Sequence, residues 1–222
     1  MALSASAEVP ATSGAIASAD NYARLLGITL RLVLGAALSI WIVWACGNQI
    51  AHAYLPLLHW SYSHLDTDHR ILTLTIETQG AVRGSDHVFQ LVVAPRAIVF
   101  VGDRLVSTDP KGWAKVTVLT AYLWQAMVVA LPFVLAWPVR KAREWPVRLL
   151  VLSVLLFVFS ILEVPMELGA SVWRIYIDAF ATGSFSTLLT WVSFLESGGR
   201  LFLGLAAAAM SVGLTRKMLK LR

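Results

Sequence analysis

Long apolar runs alternate along the chain with segments that carry polar and charged residues. Four of these runs cover residues 24–46, 116–138, 147–165 and 193–215. A helix needs about 20 mostly apolar residues to cross the hydrocarbon core of a bilayer. The second run contains Pro132, which predicts a kink. The pattern therefore predicts a mainly α-helical membrane protein with four transmembrane helices.

Between the first and second runs, in residues 47–115, the hydrophobic period changes to two. The segment ILTLTIE (71–77) alternates apolar and polar residues, and VFQLVVA (88–94) follows after a polar turn. Two further short apolar segments, 97–101 and 104–107, flank Gly102-Asp103, which is a hairpin signal. We expect a three- or four-stranded antiparallel sheet. A sheet of about 40 residues is too small to be stable on one apolar face, so it should pack against other parts of the protein, the membrane or a partner.

Two segments next to the predicted spans have apolar residues at helical spacing. The first, NQIAHAYLPLLHWSYSHL, begins at Asn48 and is interrupted by Pro56. The second lies in residues 166–192 and has Arg174 and Asp178 on its polar side. Each predicts an amphipathic helix that rests on the bilayer surface.

Composition supports a membrane protein. The chain is 58% hydrophobic and 14% charged, with a mean hydropathy of +0.70, and a soluble domain of this size needs more polar surface. The pI near 9.7 does not indicate nucleic-acid binding, because the cations cluster at helix ends and no nucleic-acid-binding module is present. The single cysteine, Cys46, excludes an internal disulfide and a multi-cysteine metal site.

Charge in the short flanks predicts the orientation. The loop 139–148, the tail 216–222 and the start of the first span fall on one side if the number of spans is even. That side carries ten of the 18 Lys and Arg residues and three of the 13 acidic residues: Arg24, Arg31, Arg140, Lys141, Arg143, Arg148, Arg216, Lys217, Lys220 and Arg222, with Glu8, Asp20 and Glu144. Cytoplasmic flanks are enriched in Lys and Arg. We therefore expect both termini in the cytoplasm and the β-unit on the outer, periplasmic side of a bacterial inner membrane.

The Ala- and Ser-rich residues 1–23 predict a disordered cytoplasmic tail. They lack the basic start of a secretory signal, so the first span is expected to be a retained anchor. Lipoprotein cleavage before Cys46 is an alternative, although Trp44 is bulky where small residues are needed.

Candidate chemistry is sparse. All five histidines lie between His52 and His87, without a recognised zinc spacing, and they are expected to be solvated or interfacial rather than metal-binding. The sequences ACG (45–47) and WRIY (173–176) resemble the cysteine and arginine motifs of exosortases. That resemblance implies an alternative function as a membrane-embedded thiol enzyme that uses Cys46 and Arg174, but no histidine follows Arg174 as the exosortase order requires.

The charged sequence FLESGGRL (194–201) interrupts the start of the fourth run. Glu196 and Arg200 are four residues apart, with the acid first, so one helix face can pair them. The alternative is a solvated helix end at which Arg200 extends toward water. Gly198 and Gly199 are expected to let a neighbouring backbone approach closely, and Gly204 and Ala208 continue a face of small residues that is typical of helix–helix contacts. The predicted interaction and packing residues are Glu163, Glu196, Gly198, Gly199, Arg200, Gly204 and Ala208.

The overall plan resembles small accessory membrane proteins that are encoded with certain exosortases. The features that match are one N-terminal span, an outer β-unit opened by Pro56-Leu57-Leu58 and the strand LTLTIET, two spans joined by a basic loop, and a last span with a basic end. The resemblance implies a non-catalytic accessory or scaffold subunit of an envelope assembly for protein sorting, secretion or conjugation. Its expected partners are the bilayer and other integral membrane proteins, without a cofactor and without nucleic acid. A small transporter component is a further alternative.

Overall fold

The computed structural model describes residues 13–81, 84–96, 99–101, 104–106, 112–139, 141–181 and 183–220. Its α-helices are α1 (Ser13–Leu65), α2 (Tyr122–Ala136), α3 (Glu144–Phe180), α4 (Thr187–Phe194) and α5 (Arg200–Lys220), and a kinked turn, Leu195–Gly199, joins the last two. Its strands are β1 (His69–Ala81), β2 (Gly84–Pro95), β3 (Val99–Val101), β4 (Arg104–Val106) and β5 (Ala114–Leu119). The predicted combination of a mainly helical chain with a small antiparallel sheet is confirmed.

Three helical segments are long and apolar enough to cross a membrane. They are Leu25–Leu65, Glu144–Phe180 and Thr187–Leu219, which are compatible with a multi-pass membrane protein. The second predicted span is shorter than expected, since α2 has 15 residues and is about 22 Å long. A hydrocarbon core is about 30 Å thick.

Close contacts define the direction of each helix. A Cβ atom built on Gly35 of α1 would lie 2.8 Å from the Cα atom of Pro132, and one on Gly47 would lie 3.6 Å from the side chain of Trp124. Because the residue numbers rise along α1 while they fall along α2, these two helices are antiparallel.

The same reasoning applies to α3. The Tyr54 hydroxyl donates to the Ser160 carbonyl at 2.5 Å, and the Tyr62 ring lies near Gly169, so α1 and α3 are parallel. At the other end, the Ser211 hydroxyl of α5 donates to the backbone carbonyl of Arg148 on α3. Arg200, at the start of α5, contacts Glu163, which lies further along α3 than Arg148 does. Helix α5 therefore runs antiparallel to α3. Successive long helices therefore alternate in direction.

The main sheet has the order β1-β2-β5, and both pairs are antiparallel. Leu91 of β2 lies opposite Leu74 of β1 and Val116 of β5. The assignment of residues 116–119 to a transmembrane helix is wrong, because they belong to β5. Buried Val116 and Val118 alternate there with exposed or half-buried neighbours, and β-branched residues with period two favour a strand.

The strands β3 and β4 form a separate two-stranded pair, as the hairpin signal predicted. The turn residues 102 and 103 lie outside the described part of the chain. The predicted hairpin is confirmed, but β3 and β4 do not extend the main sheet.

The two predicted surface helices are instead continuations of α1 and α3. The first runs through Pro56 to Leu65 and the second through Pro165 to Phe180. Their apolar residues face the sheet rather than lipid, since they form one buried cluster with it: Ala51, Tyr54, Leu58, Tyr62, Phe89, Leu91, Val93, Val101, Val116, Val118, Val164, Leu168, Val172, Tyr176 and Ile177. The apolar face of the sheet is therefore covered by the ends of α1 and α3.

The predicted disorder of residues 1–23 is wrong for residues 13–23, which are helical. Alanine has the highest intrinsic helix propensity, and this stretch is rich in it. Residues 1–12 lie outside the described part of the chain.

The predicted basic loop 139–148 is partly helical, since α3 begins at Glu144. Arg148 is fully buried there and donates to the carbonyls of Trp137 and Pro138 and to the Glu144 carboxylate, which is 2.9 Å away. This arginine holds the end of α2 against the start of α3. Arg140 lies outside the described residues.

Candidate functional site

A buried cluster of three charged side chains joins α3 and α5. The guanidinium of Arg200 donates through Nε to Glu163 and through a terminal nitrogen to Glu167, at 2.5 Å for the second contact. Arg200 is 2% exposed, Glu163 8% and Glu167 4%. The two glutamates are four residues apart on α3, so their side chains leave the same face of the helix. One arginine therefore serves two carboxylates inside the bundle.

The aromatic ring of Tyr122 completes the cluster. The Cζ atom of Arg200 lies 3.8 Å from the ring centroid, which is a cation–π distance. Tyr122 is the first residue of α2. The cluster therefore connects the start of α2, the middle of α3 and the start of α5.

The kink between α4 and α5 explains how Arg200 reaches this position. Gly198 has φ = 110°, which is a left-handed conformation that favours glycine. This residue breaks the regular helical path, so that α4 and α5 are two helices joined by a kink. The charged turn therefore lies at the kink between the end of α4 and the start of α5 at Arg200.

The predicted pairing within FLESGGRL is wrong. Arg200 bonds to Glu163 and Glu167 of α3, and Glu196 is exposed. The left-handed conformation of Gly198, which lies between residues 196 and 200, changes the angular relation that a regular helix would give them. The alternative, in which Arg200 extends to water, is also wrong because its side chain is buried.

The small residues of α5 behave differently from one another. A Cβ on Gly204 would lie 2.6 Å from the Ala126 carbonyl oxygen of α2, and Ala208 is buried, which confirms a close helix–helix contact. By contrast, a Cβ on Gly198 meets nothing within 4 Å, and a Cβ on Gly199 meets Phe194 of its own helical segment. The expectation that these two glycines admit a neighbouring backbone is therefore wrong.

The charged side chains of this cluster suit a structural role. Two carboxylates and one guanidinium share a site from which water is largely excluded, and such groups persist only when they are paired. A buried pair costs desolvation energy that ideal hydrogen bonds offset, so its clearest effect is to specify one arrangement of the helices. We interpret the cluster as a structural connection between three helices. Sequence reasoning identified Glu163 and Arg200 but missed Glu167 and Tyr122.

A second polar network lies where α1 ends and β1 begins. Nδ1 of His69 is 2.9 Å from Oδ2 of Asp66, and Nε2 is 3.2 Å from the Tyr176 hydroxyl of α3. The Tyr62 hydroxyl also donates to Asp66, at 2.7 Å. His69 is 5% exposed, so the expectation that the histidines are solvated or interfacial is wrong for this one. His52, His59, His64 and His87 are exposed, as predicted.

These contacts lower the pKa of the Asp66 carboxyl. Burial raises its pKa, but the hydrogen bonds from His69 and Tyr62 and the nearby His69 charge lower it more, so that the pKa lies below its ordinary value. The network opens into a cleft of about 320 Å³ that Met166 and Trp173 also line. An ionised carboxylate that holds a histidine ring is the arrangement of many general bases.

The proposed thiol chemistry finds no support in the geometry. Cys46 is a free, half-buried cysteine in α1, and it precedes Asp66 by 20 residues along that helix, or about 30 Å. Arg174 is exposed on the extension of α3, which runs parallel to the end of α1. The structure therefore does not bring Cys46 together with the His69 network or with Arg174.

Within the described residues, no group of three His, Cys, Asp or Glu side chains is arranged to hold a metal ion. The chain matches no family model, no curated protein and no solved structure. Function must therefore be argued from the arrangement of the residues themselves.

Proposed function

We propose that this chain is a non-catalytic accessory or scaffold subunit of a bacterial envelope assembly, with four spans in the inner membrane and its sheet on the periplasmic side. The resemblance to exosortase-associated membrane proteins suggests a protein-sorting system as the first assembly to test. The observation that carries the proposal is a sheet with an open edge, built directly on helices that continue from the spans.

Helix direction supports four crossings. If α1 and α3 both span the bilayer, they cross it in the same direction, because they are parallel. The chain must then return between residues 66 and 143. The apolar helix α2 is antiparallel to both and packs on α1, so it is the natural return path. Its shortness is compatible with local thinning of the bilayer, which costs fractions of a kcal/mol per Å.

Charge supports the orientation. The sheet lies at the end of the bundle where α1 ends, and the exposed cations Lys141, Arg143, Arg216 and Lys217 lie at the other end. Lys and Arg concentrate on the cytoplasmic side. The sheet should therefore face the periplasm, and both termini should face the cytoplasm.

The open edge supports a scaffold role. In the order β1-β2-β5, the 13-residue strand β1 pairs with β2 on one side, and its other edge pairs with no strand among the described residues. Unpaired edges recruit extended segments by main-chain hydrogen bonds. The outward residues Thr73, Thr75 and Glu77 are exposed and polar, which suits reversible addition of a strand from a periplasmic segment of a partner.

The orientation can be tested by cysteine labelling in a Cys46→Ser background. A cysteine at Ser85, in the β1–β2 hairpin, should react with an impermeant maleimide in intact cells. A cysteine at Lys217 should react only after lysis. The reverse pattern would overturn the orientation and with it the periplasmic partner.

The open edge can be tested by photo-crosslinking in cells. A photoreactive amino acid at Thr75 of β1 should capture a discrete membrane or periplasmic protein, identified by mass spectrometry. The matched control is the same probe at Asp178, which is exposed at the same end of the molecule on α3. Equal capture at both positions, or none at Thr75, would contradict docking at the β1 edge.

A further inference from the structure

A groove of about 470 Å³ lies between α1 and α2 at the end of the bundle away from the sheet. Its walls are apolar and include Leu34 and Leu38 of α1 and Leu135 of α2, while Arg31 and Lys141 line it with their cationic side chains. We propose that this groove binds one anionic phospholipid, with the phosphate between Arg31 and Lys141 and an acyl chain along the leucines.

The groove has a local structural cause. Gly35 lets α1 approach α2 so closely that a Cβ would collide with Pro132. Gly35 and Leu135 both line the groove, so it lies beside this contact. Val139, Lys141 and Trp145 line the groove as well. Residues of α1, of α2 and of the segment from the end of α2 to the start of α3 thus contribute to its walls.

Charge complementarity favours an anion. Arg31 and Lys141 are exposed, and among the described residues neither forms a salt bridge. None of the residues that line the groove is acidic. The nearby carboxylate of Glu144 is already bonded to Arg148 and buried. The two groove cations therefore have no internal counter-ion in the described part of the chain.

The apolar walls favour a lipid over a free anion. Leu34 and Leu38 are exposed side chains, and a soluble phosphate would make no apolar contact with them. A phospholipid satisfies both parts of the groove, because its phosphate meets the cations and its chain covers the leucines. Basic pockets between transmembrane helices select anionic headgroups for this reason. Trp145 is half-buried at the rim, where an indole suits the headgroup region.

Native mass spectrometry of the full chain in mild detergent can test the proposal. The probes are palmitoyl-oleoyl phosphatidylglycerol and phosphatidylcholine, which share their acyl chains and differ in net charge. We expect the one-lipid complex with phosphatidylglycerol to be on the order of tenfold tighter than that with phosphatidylcholine. The double variant Arg31→Gln with Lys141→Gln should lose that preference.

The matched control is Arg143→Gln with Lys217→Gln, which removes the same charge from exposed positions that do not line the groove. It should keep the preference within about twofold. Equal losses in the two double variants would overturn the proposal in favour of diffuse surface charge. Displacement of the lipid by glycerol phosphate or inorganic phosphate would also overturn it, because it would show a site for a soluble anion. Unchanged circular dichroism and thermal unfolding of the variants establish that a loss of lipid is not a loss of fold.

Discussion

Replacing Arg200 with methionine removes the cation that two buried carboxylates share. Methionine keeps much of the apolar volume of the arginine stem, so the change tests charge more than packing. The variant leaves Glu163 and Glu167 in a site where they are 8% and 4% exposed. It also removes the guanidinium from the ring of Tyr122. We expect the connection between α3 and α5 to weaken strongly.

The magnitude follows from the contacts. Each hydrogen bond between the guanidinium and a carboxylate contributes about 1.5–3 kcal/mol, and there are two of them. Breaking a buried ion pair from one side costs about 3–5 kcal/mol, because the remaining charge is left unpaired. The two approaches agree. We therefore expect Arg200→Met to lower the free energy of unfolding by about 3–5 kcal/mol.

Unfolding can be measured in mixed micelles by titration with sodium dodecyl sulfate, and the nine tryptophans supply the fluorescence signal. The control is Lys217→Met, which removes an exposed cation from the same helix and should cost no more than about 1 kcal/mol. Similar small losses in both variants would refute the buried cluster.

A triple variant separates charge from shape. Arg200→Met combined with Glu163→Gln and Glu167→Gln leaves no charged group in the cluster, so it should recover at least about half of the loss. Failure to recover would mean that the arginine stabilises the bundle by its shape, and the electrostatic account would be wrong.

Three further predictions concern other positions. Gly204→Ala should destabilise the protein by about 1–3 kcal/mol in the same unfolding assay, since the new methyl group meets the backbone of α2. The control is Gly213→Ala, where a Cβ meets nothing within 4 Å. It should be neutral or stabilising by up to about 1 kcal/mol. Asp66→Asn should be less stable than the wild type at neutral pH, because the folded-state pKa of Asp66 is lowered. The stability that the Asp66 carboxylate contributes is present above the unfolded pKa of about 3.9 and is lost as the pH falls through the folded pKa. A stability difference between the variant and the wild type that grew in acid would contradict this sign. Cys46→Ser should leave lipid binding and capture of the partner unchanged, and loss of both at a normal protein level would favour the thiol enzyme.

Much of the architecture could be predicted from local pattern. The strands at 71–77 and 88–94 follow from alternation with period two, and the β3–β4 hairpin follows from Gly102-Asp103. The apolar runs around residues 30, 155 and 205 correspond to the three helices that can span a membrane. These predictions are local, because each depends on residues close together in the chain.

The failed predictions required knowledge of what each segment packs against. Residues 48–65 have one apolar face, and a sequence pattern cannot tell whether that face meets lipid or a sheet. The helix continues through Pro56 because the sheet covers that face. Similarly, residues 116–119 continue an apolar run, but β2 supplies them with a strand partner.

For the cluster at Arg200, too, part of the site could be predicted from the sequence and part was decided only by packing. Composition alone indicated a membrane protein, with which the three long apolar helices are compatible, and the rarity of charge in its apolar runs singled out Glu163 and Arg200. The partner of Arg200 was decided by tertiary structure, because residues 163 and 200 are 37 positions apart and meet only when α3 and α5 pack antiparallel. A buried arginine must find carboxylates wherever the fold brings them, and the kink at Gly198 directs it to α3 instead of to Glu196.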